Sequence, residues 1–283
     1  MIASHWKKTN DGRLLCNLCP HRCRIVEGAK GLCGARRHVS GALIAESYGR
    51  ATSIALDPIE KKPLYRFHPG TKILSIGSYG CNLRCAFCQN HEISTGEAPW
   101  EPMSPEDVAA LSARYAGRGN LGVAYTYNEP LIGFEYVRDC AELVRKQGQL
   151  NVLVTNGYVE PEPLHALLPL IDAMNIDLKG FTDARYRELG GSLEPVMRTI
   201  EMAAGCAHVE VTALIVPGEN DSPEEMDELS AWLAGVDAEI PLHVSRFFPR
   251  HRVADRSPTP VDAVYALARI ARAHLTHVYT GNC

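Results

Sequence analysis

The sequence predicts an α/β fold: an open, TIM-like partial (β/α)6 barrel preceded by a small N-terminal cysteine-rich extension. Two observations carry this. From residue 72 onward, short apolar strands alternate with helical patterns, which is the signature of a parallel sheet with right-handed crossovers. Six such units run from residue 72 to residue 274, fewer than the eight of a closed barrel. Before residue 72 the pattern gives way to a polar, cysteine-bearing segment. The expected division is therefore 1–70, an extension and lead-in, and 71–283, the barrel domain. With 283 residues, 46% of them hydrophobic, the chain is long enough to bury a sizeable core.

The elements follow in order. Residues 16–33 form a cysteine knuckle, and the alternation of residues 42–56 suggests a hairpin. Residues 72–76 read as a strand ending at Gly77. Residues 104–115 read as a helix, with Ser104 as N-cap, Pro105 in the first turn and Asp107 at the third position. A strand is expected at 122–127, then a helix over 131–146 opened by Pro130. A strand at 151–154 precedes a helix that starts around Pro161 and Pro163. The strand at 173–176 leads into Asp177, and helical patterns cover 182–189 and 194–204. A strand at 209–216, a helix at 222–233, a strand at 242–245, a helix at 260–274 and a strand at 276–279 complete the chain. In such a sheet, ligands sit at the C-terminal ends of the strands. Chemistry should therefore come from residues just after each strand.

The formal net charge of −4 provides no global field for nucleic acid. Arg246, Arg250, Arg252 and Arg256 read as a solvated loop. The start carries Lys7, Lys8 and Arg13 without an apolar core, unlike a secretory signal, and no apolar run is long enough for a bilayer. A cytoplasmic location is expected. Ten cysteines in a reducing compartment then point to metal or redox chemistry rather than disulfides. Cys140 and Cys206 are expected to be small buried apolar residues.

Cys81, Cys85 and Cys88 stand in a C-x3-C-x2-C loop directly after the first predicted barrel strand. Iron–sulfur clusters are normally held by four thiolates. Three this close wrap one cubane and leave one iron open, and an open position distinguishes a reactive metal site from a closed structural one. Cys16, Cys19, Cys23 and Cys33 form a separate four-thiolate set, suited to structural zinc or an auxiliary iron–sulfur cluster.

The Cys81–Cys88 loop, with Phe87 just before its third cysteine, resembles the signature of the radical S-adenosylmethionine superfamily. The resemblance implies a 4Fe-4S cluster whose open iron binds S-adenosyl-L-methionine. It implies reductive cleavage of that cofactor to a 5′-deoxyadenosyl radical, which takes hydrogen from a substrate. By the same resemblance, Asn128 and Glu129 occupy the place of an element that meets the methionine ammonium. Thr155 and Asn156, Asp177 and Lys179, and His251 look like cofactor-handling positions of pyruvate formate-lyase activating enzymes. The turn Val216-Pro217-Gly218 with Asn220-Asp221 also fits. Val154 and Thr212 depart from that pattern, since the activating enzymes carry Asp and Arg there.

A closer resemblance is to the AmmeMemoRadiSam system radical enzyme family. It is carried by Cys16-x2-Cys19-Pro20-x2-Cys23, the run from Asp57 to Tyr65, Tyr125-Thr126-Tyr127-Asn128-Glu129-Pro130, Ser245-Arg246-Phe247-Phe248-Pro249 and Val278-Tyr279-Thr280-Gly281-Asn282. The function expected is a radical enzyme acting on a protein or peptide, supplied with electrons by a flavodoxin or ferredoxin. A glycyl-radical enzyme activase is the alternative enzyme. An iron–sulfur electron carrier is the alternative from another class, and cofactor residues at five strand ends speak against it.

Overall fold

The computed structural model describes residues 1–95 and 98–283. Its frame is an eight-stranded sheet: β1 (Ser53–Pro58), β2 (Lys72–Gly77), β3 (Asn120–Tyr125), β4 (Leu150–Thr155), β5 (Ala173–Asp177), β6 (His208–Ile215), β7 (Leu242–Arg246) and β8 (Val278–Gly281). Each strand pairs with its neighbour in chain order. From β2 to β8 all pairings are parallel, whereas β1 runs antiparallel to β2. The fold is thus α/β with a mostly parallel central sheet, as predicted.

The helices are α1 (His91–Thr95), α2 (Pro105–Arg114), α3 (Phe134–Lys146), α4 (Pro161–Leu167), α5 (Asp183–Glu188), α6 (Glu194–Ala204), α7 (Pro223–Asp237) and α8 (Val261–Ala271). Ser104 caps α2 by the expected box, its hydroxyl accepting from Asp107 N while the Asp107 carboxylate accepts from Ser104 N. Pro130 opens only a 3-10 turn, Pro130–Gly133, and the α-helix begins at Phe134. The main core lies between the sheet and these helices. Leu74, Ile76, Val123, Leu153, Met174, Val211 and Val244 face outward onto Val137, Val144, Leu164, Ile200, Leu233 and Leu267.

Two expectations need correction, and one element was not foreseen. The hairpin lies at Arg36–Val39 and Ala42–Ala45, earlier than residues 42–56, and Ser53–Pro58 joins the main sheet instead. Period-2 alternation fits either pairing, so pattern alone could not choose. The helix His91–Thr95 was not foreseen, having fewer than two turns of pattern. Cys206 is exposed in the turn after α6, whereas Cys140 is fully buried on α3.

The segment after β1 shows that the sheet curls. Ile59, Leu64 and Phe67 pack with Ile73 on β2, Ala124 on β3, Val152 on β4 and Ala173 on β5. The same segment reaches β5 and β6: Asn175 Nδ2 donates to the Pro63 carbonyl (2.9 Å), and the Glu210 carboxylate accepts from Tyr65 N (3.0 Å) and Arg66 N (2.8 Å). The Tyr65 ring then packs on His243 of β7 and Tyr279 of β8, with centroids 4.8 and 5.0 Å away. Only a curled sheet lets one short segment touch seven strands. Residues 59–67 therefore form a plug across its inner face.

Glu210, fully buried, anchors that plug. Burial alone would raise its carboxyl, but bonds from His208, His243 and the two plug amides outweigh it and hold the pKa down at about 2. Because the folded pKa lies below the ordinary 4.5, this stabilisation is present above that value and is lost as pH falls through about 2. Glu210→Gln should therefore be less stable than wild type near pH 6, and the two urea midpoints should converge on acidification. Midpoints that stay equally far apart down to acid pH would show that the carboxylate does not carry the plug.

Candidate active site

The loop after β2 carries Cys81, Cys85 and Cys88, all partly buried. Cys81 Sγ accepts from Leu83 N (3.4 Å) and Asn156 Nδ2 (3.6 Å), and Cys88 Sγ lies 3.7 Å from Ser94 Oγ on α1. Burial pushes the Cys81 and Cys85 thiols up, while the Lys179 ammonium works in the opposite direction on both. N–H donors and a nearby cation favour thiolate, the form that binds metal. Phe87 turns away into an apolar cluster with Leu189, Val216, Phe247 and Val253, against which Cys85 packs. One side of the loop is thereby shielded from water.

Glu129 is 3% exposed, so it is no surface turn residue. Its Oε1 accepts from Thr155 Oγ1 (2.6 Å) and Leu131 N (2.9 Å), and its Oε2 from Asn156 N (2.8 Å). One carboxylate thus ties the Pro130–Gly133 turn to the end of β4. Burial raises its pKa to about 7 despite these three donors. A second lone pair on Oε2 remains for a cationic partner.

Asn156 donates from Nδ2 to Asn82 Oδ1 (3.0 Å) as well as to Cys81 Sγ, and so joins β4 to the cysteine loop. Asn128 spends its side chain on the same loop, accepting from Ser78 N (3.0 Å) and donating to the Gly80 carbonyl (3.1 Å). At the end of β5, Lys179 Nζ donates to Asp177 Oδ2 (2.7 Å). Burial works against the Lys179 charge, but Asp177 outweighs it and the ammonium is held firmly protonated. His251 sits in a 3-10 turn, its ring stacked 4.3 Å from His91, three residues past Cys88. The Thr212 hydroxyl exchanges hydrogen bonds with the Asn175 amide inside the sheet (2.9 and 3.1 Å). Sequence reasoning gave no role to Asn82, His91 or Tyr127, although Tyr127 stood in a quoted run, because the contacts they make cross the fold.

Cys16, Cys19, Cys23 and Cys33 line one small enclosed pocket with His21, Arg36 and Ile132. This knuckle leans directly on the cysteine loop. His21 Nε2 lies 2.6 Å from the Asn82 carbonyl, and Arg84 donates to the Leu32 carbonyl. Gly80 has φ +90°, and a Cβ there would fall 2.5 Å from the Cys33 carbonyl oxygen. Among the described residues no three His, Cys, Asp or Glu side chains already stand at metal-ligating geometry. The donor chemistry nonetheless fits an iron–sulfur cluster at the loop, where Cys81 Sγ accepts two N–H bonds, and zinc or a cluster at the four-thiol pocket. A larger hollow of about 470 Å³, lined by Arg145, His165, Asp172 and His208, opens at the opposite ends of the strands. Cys206 lines it, but none of the seven clustered cysteines does.

Fold and site together define an α/β scaffold with soft thiol donors and a buried carboxylate gathered at the C-terminal strand ends. The Radical SAM superfamily model matches residues 75–230. An uncharacterized protein of Methanocaldococcus jannaschii is 40% identical over 286 residues, covering 99% of this chain and 84% of that relative. The pyruvate formate-lyase 1-activating enzyme of Escherichia coli K12 is 28% identical, covering 60% of this chain and 72% of the enzyme. The structure of SuiB from Streptococcus suis bound to S-adenosylmethionine superposes with a TM-score of 0.56 at 16% identity, covering 72% of this chain and 48% of SuiB. The chain belongs to the Radical SAM superfamily and is an enzyme of that class. Membership implies a 4Fe-4S cluster and S-adenosylmethionine.

The Glu129 geometry makes a direct prediction. In cofactor-free protein, a buried carboxyl stretch should titrate near pH 7 by infrared difference spectroscopy and vanish in Glu129→Gln. A wild-type protein with all carboxyls ionised by pH 5 would contradict the burial argument.

Proposed function

We propose that Cys81, Cys85 and Cys88 hold the 4Fe-4S cluster and that Glu129 receives the ammonium of S-adenosylmethionine at its open iron. The observation that carries this reading is the convergence of the three thiols with Glu129, Thr155, Asn156, Asp177 and Lys179 on successive strand ends. When bound, cluster and cofactor supply a 5′-deoxyadenosyl radical that abstracts hydrogen from substrate. The chain's own residues do the rest. An arriving ammonium would favour the ionised form of the Glu129 carboxyl, because a charge-assisted pair stabilises the carboxylate. Thr155 and the Asn156 amide keep that carboxylate aimed. Asn156 Nδ2 steadies the Cys81 thiolate, and Lys179, neutralised by Asp177, offers spare N–H donors to polar cofactor atoms. The apolar wall of Phe87, Phe247 and Val253 excludes water and stray hydrogen donors.

The substrate we propose is a protein or peptide, admitted between the unpaired edges β1 and β8, with a flavodoxin or ferredoxin as electron donor. Support comes from the likeness to an enzyme named for activating another protein, pyruvate formate-lyase. That likeness also favours a second reading, a glycyl-radical enzyme activase. Thr212 weighs against it, since it stands where an activase Arg is expected and is spent on Asn175. Motifs along nearly the whole chain support placement in the AmmeMemoRadiSam family. No helix among the described residues is long and apolar enough to cross a membrane, and we place the enzyme in the cytoplasm. We assign Cys16, Cys19, Cys23 and Cys33 one closed site, zinc or an auxiliary cluster.

Anaerobically reconstituted enzyme under dithionite should form 5′-deoxyadenosine, and replacing Cys81, Cys85 and Cys88 together by Ala should abolish it. Undiminished cleavage by that variant would remove the assignment. Glu129→Gln should leave iron content intact and weaken cofactor affinity by at least tenfold, a loss of about 1.5–3 kcal/mol for a bond to a charged group. A Cys16/Cys19 double Ala variant should lose one zinc or one auxiliary cluster while cleaving the cofactor with an artificial reductant. Loss of the Cys81 cluster in a well-folded double variant would instead merge the two cysteine sets into one site.

A further inference from the structure

Tyr127 lies between β3 and Glu129 with φ +72°. A left-handed backbone costs an ordinary residue about 1–2 kcal/mol, so something holds this one in place. Its side chain runs back along the inner face of the sheet. Tyr127 Oη donates to Asp57 Oδ2 on β1 at 2.8 Å. Lys62, a plug residue 3% exposed, donates to the same oxygen at 2.8 Å and stands 4.7 Å over the Tyr127 ring. The ring lies against the end of β2, where a Cβ on Gly77 would come 2.9 Å from Tyr127 Cδ2.

The backbone of the same residue faces the chemistry. The Tyr127 carbonyl accepts from Asn90 Nδ2 at 2.8 Å, two residues past Cys88. Asn128 follows, clamped to Ser78 and Gly80 of the cysteine loop, and then Glu129. Lys62 is buried and Asp57 partly so, and the best-attested use of such an ion pair is to specify one conformation. Burial, and then Asp57, push the phenol up to about 12, so it remains a donor at any working pH.

We infer that Tyr127 is a positioning residue: its phenol, anchored on Asp57 and Lys62, fixes the strained turn that presents Glu129 to the cofactor ammonium. This rests on the proposed role of Glu129 and adds the plug as the element that sets the geometry of that carboxylate. It makes the Asp57–Lys62 run part of the cofactor apparatus rather than only a floor.

The test uses the reconstituted holoenzyme with Tyr127→Phe, which deletes one oxygen and keeps the ring on Gly77, with Asp57→Asn, and with the double variant. Each single variant should raise the dissociation constant for S-adenosylmethionine about tenfold at unchanged iron content. The change that the cofactor causes in the paramagnetic resonance spectrum of the reduced cluster should weaken in parallel. The double variant should be no worse than Asp57→Asn alone, because both changes act on the one Tyr127–Asp57 contact, while Asp57→Asn also weakens the Lys62 pair. Affinities within twofold of wild type in both single variants would overturn the inference, even if thermal midpoints fall, since that pattern is merely structural. A wild-type enzyme that binds no S-adenosylmethionine would overturn the Glu129 reading and this one together. A wild type that binds while the variants bind equally well would overturn only this one.

Discussion

The interior of this enzyme is organised around a carboxylate that is costly to bury. An unpaired ionised group in a protein interior is penalised by several kcal/mol, so it survives only if donors surround it. Glu129 draws its donors from two elements: Leu131 N from the turn that follows it, and Thr155 Oγ1 and Asn156 N from the end of β4. Those bonds fix where β4 ends relative to β3. Asn156, once placed, has its side chain free to reach Cys81 Sγ and Asn82 Oδ1. The cysteine loop thus inherits its position from the carboxylate. The donors still do not fully offset burial, which leaves the pKa near 7. That shortfall is chemically useful. In the role proposed for Glu129, an arriving ammonium would complete what the protein's own donors leave partly offset.

The plug applies a similar logic at the other end of the sheet. An open curled sheet leaves an inner face that must be covered by side chains or by chain. Here residues 59–67 cover it, with Ile59, Leu64 and Phe67 as apolar filling and Glu210 as the carboxylate that accepts the exposed amides. Covering that end directs access to the strand C-termini. The contrast between the two glutamates is instructive. Glu210 receives four donors and sits at about pKa 2, which is a structural saturation. Glu129 receives three and sits near 7, a balance that suits the role proposed for it.

The legible part of the sequence was the part governed by local period. Strands β2 to β7 fall within one or two residues of expectation, because alternating strand and helix patterns are local and long. The Cys81–Cys88 loop and the residues after the strands were legible because parallel sheets oblige chemistry to gather there. Pairing partners were not legible. Ser53–Pro58 and Ala42–Ala45 carry similar alternation, yet one joins the main sheet and the other a hairpin. Cys206 looked as apolar as Cys140, and only the helix end at Ala204 puts it in water. The Tyr127–Asp57 bond joins residues 70 apart in sequence, a distance over which no periodicity speaks.

The relation between the two cysteine sets follows from contact rather than spacing. The knuckle touches the cysteine loop at backbone carbonyls: Cys33 O over Gly80, Leu32 O at the Arg84 side chain, Asn82 O at the His21 ring. Backbone contacts transmit position but not ligands, so the two sets can be chemically separate and mechanically joined. The knuckle is itself locked to the barrel by the buried pair Arg36–Glu135 at 2.6 Å, with Arg36 also donating to the Ile132 carbonyl. Ile132 and Glu135 lie just beyond Glu129, in the turn and helix that it helps to start. A metal that closes the four-thiol pocket would stiffen the knuckle, and the stiffened knuckle would hold Gly80, to whose carbonyl Asn128 donates. Gly80 therefore lies between the knuckle and the residue that precedes Glu129. A closed site with no open position can in this way serve a reactive one without exchanging an electron with it.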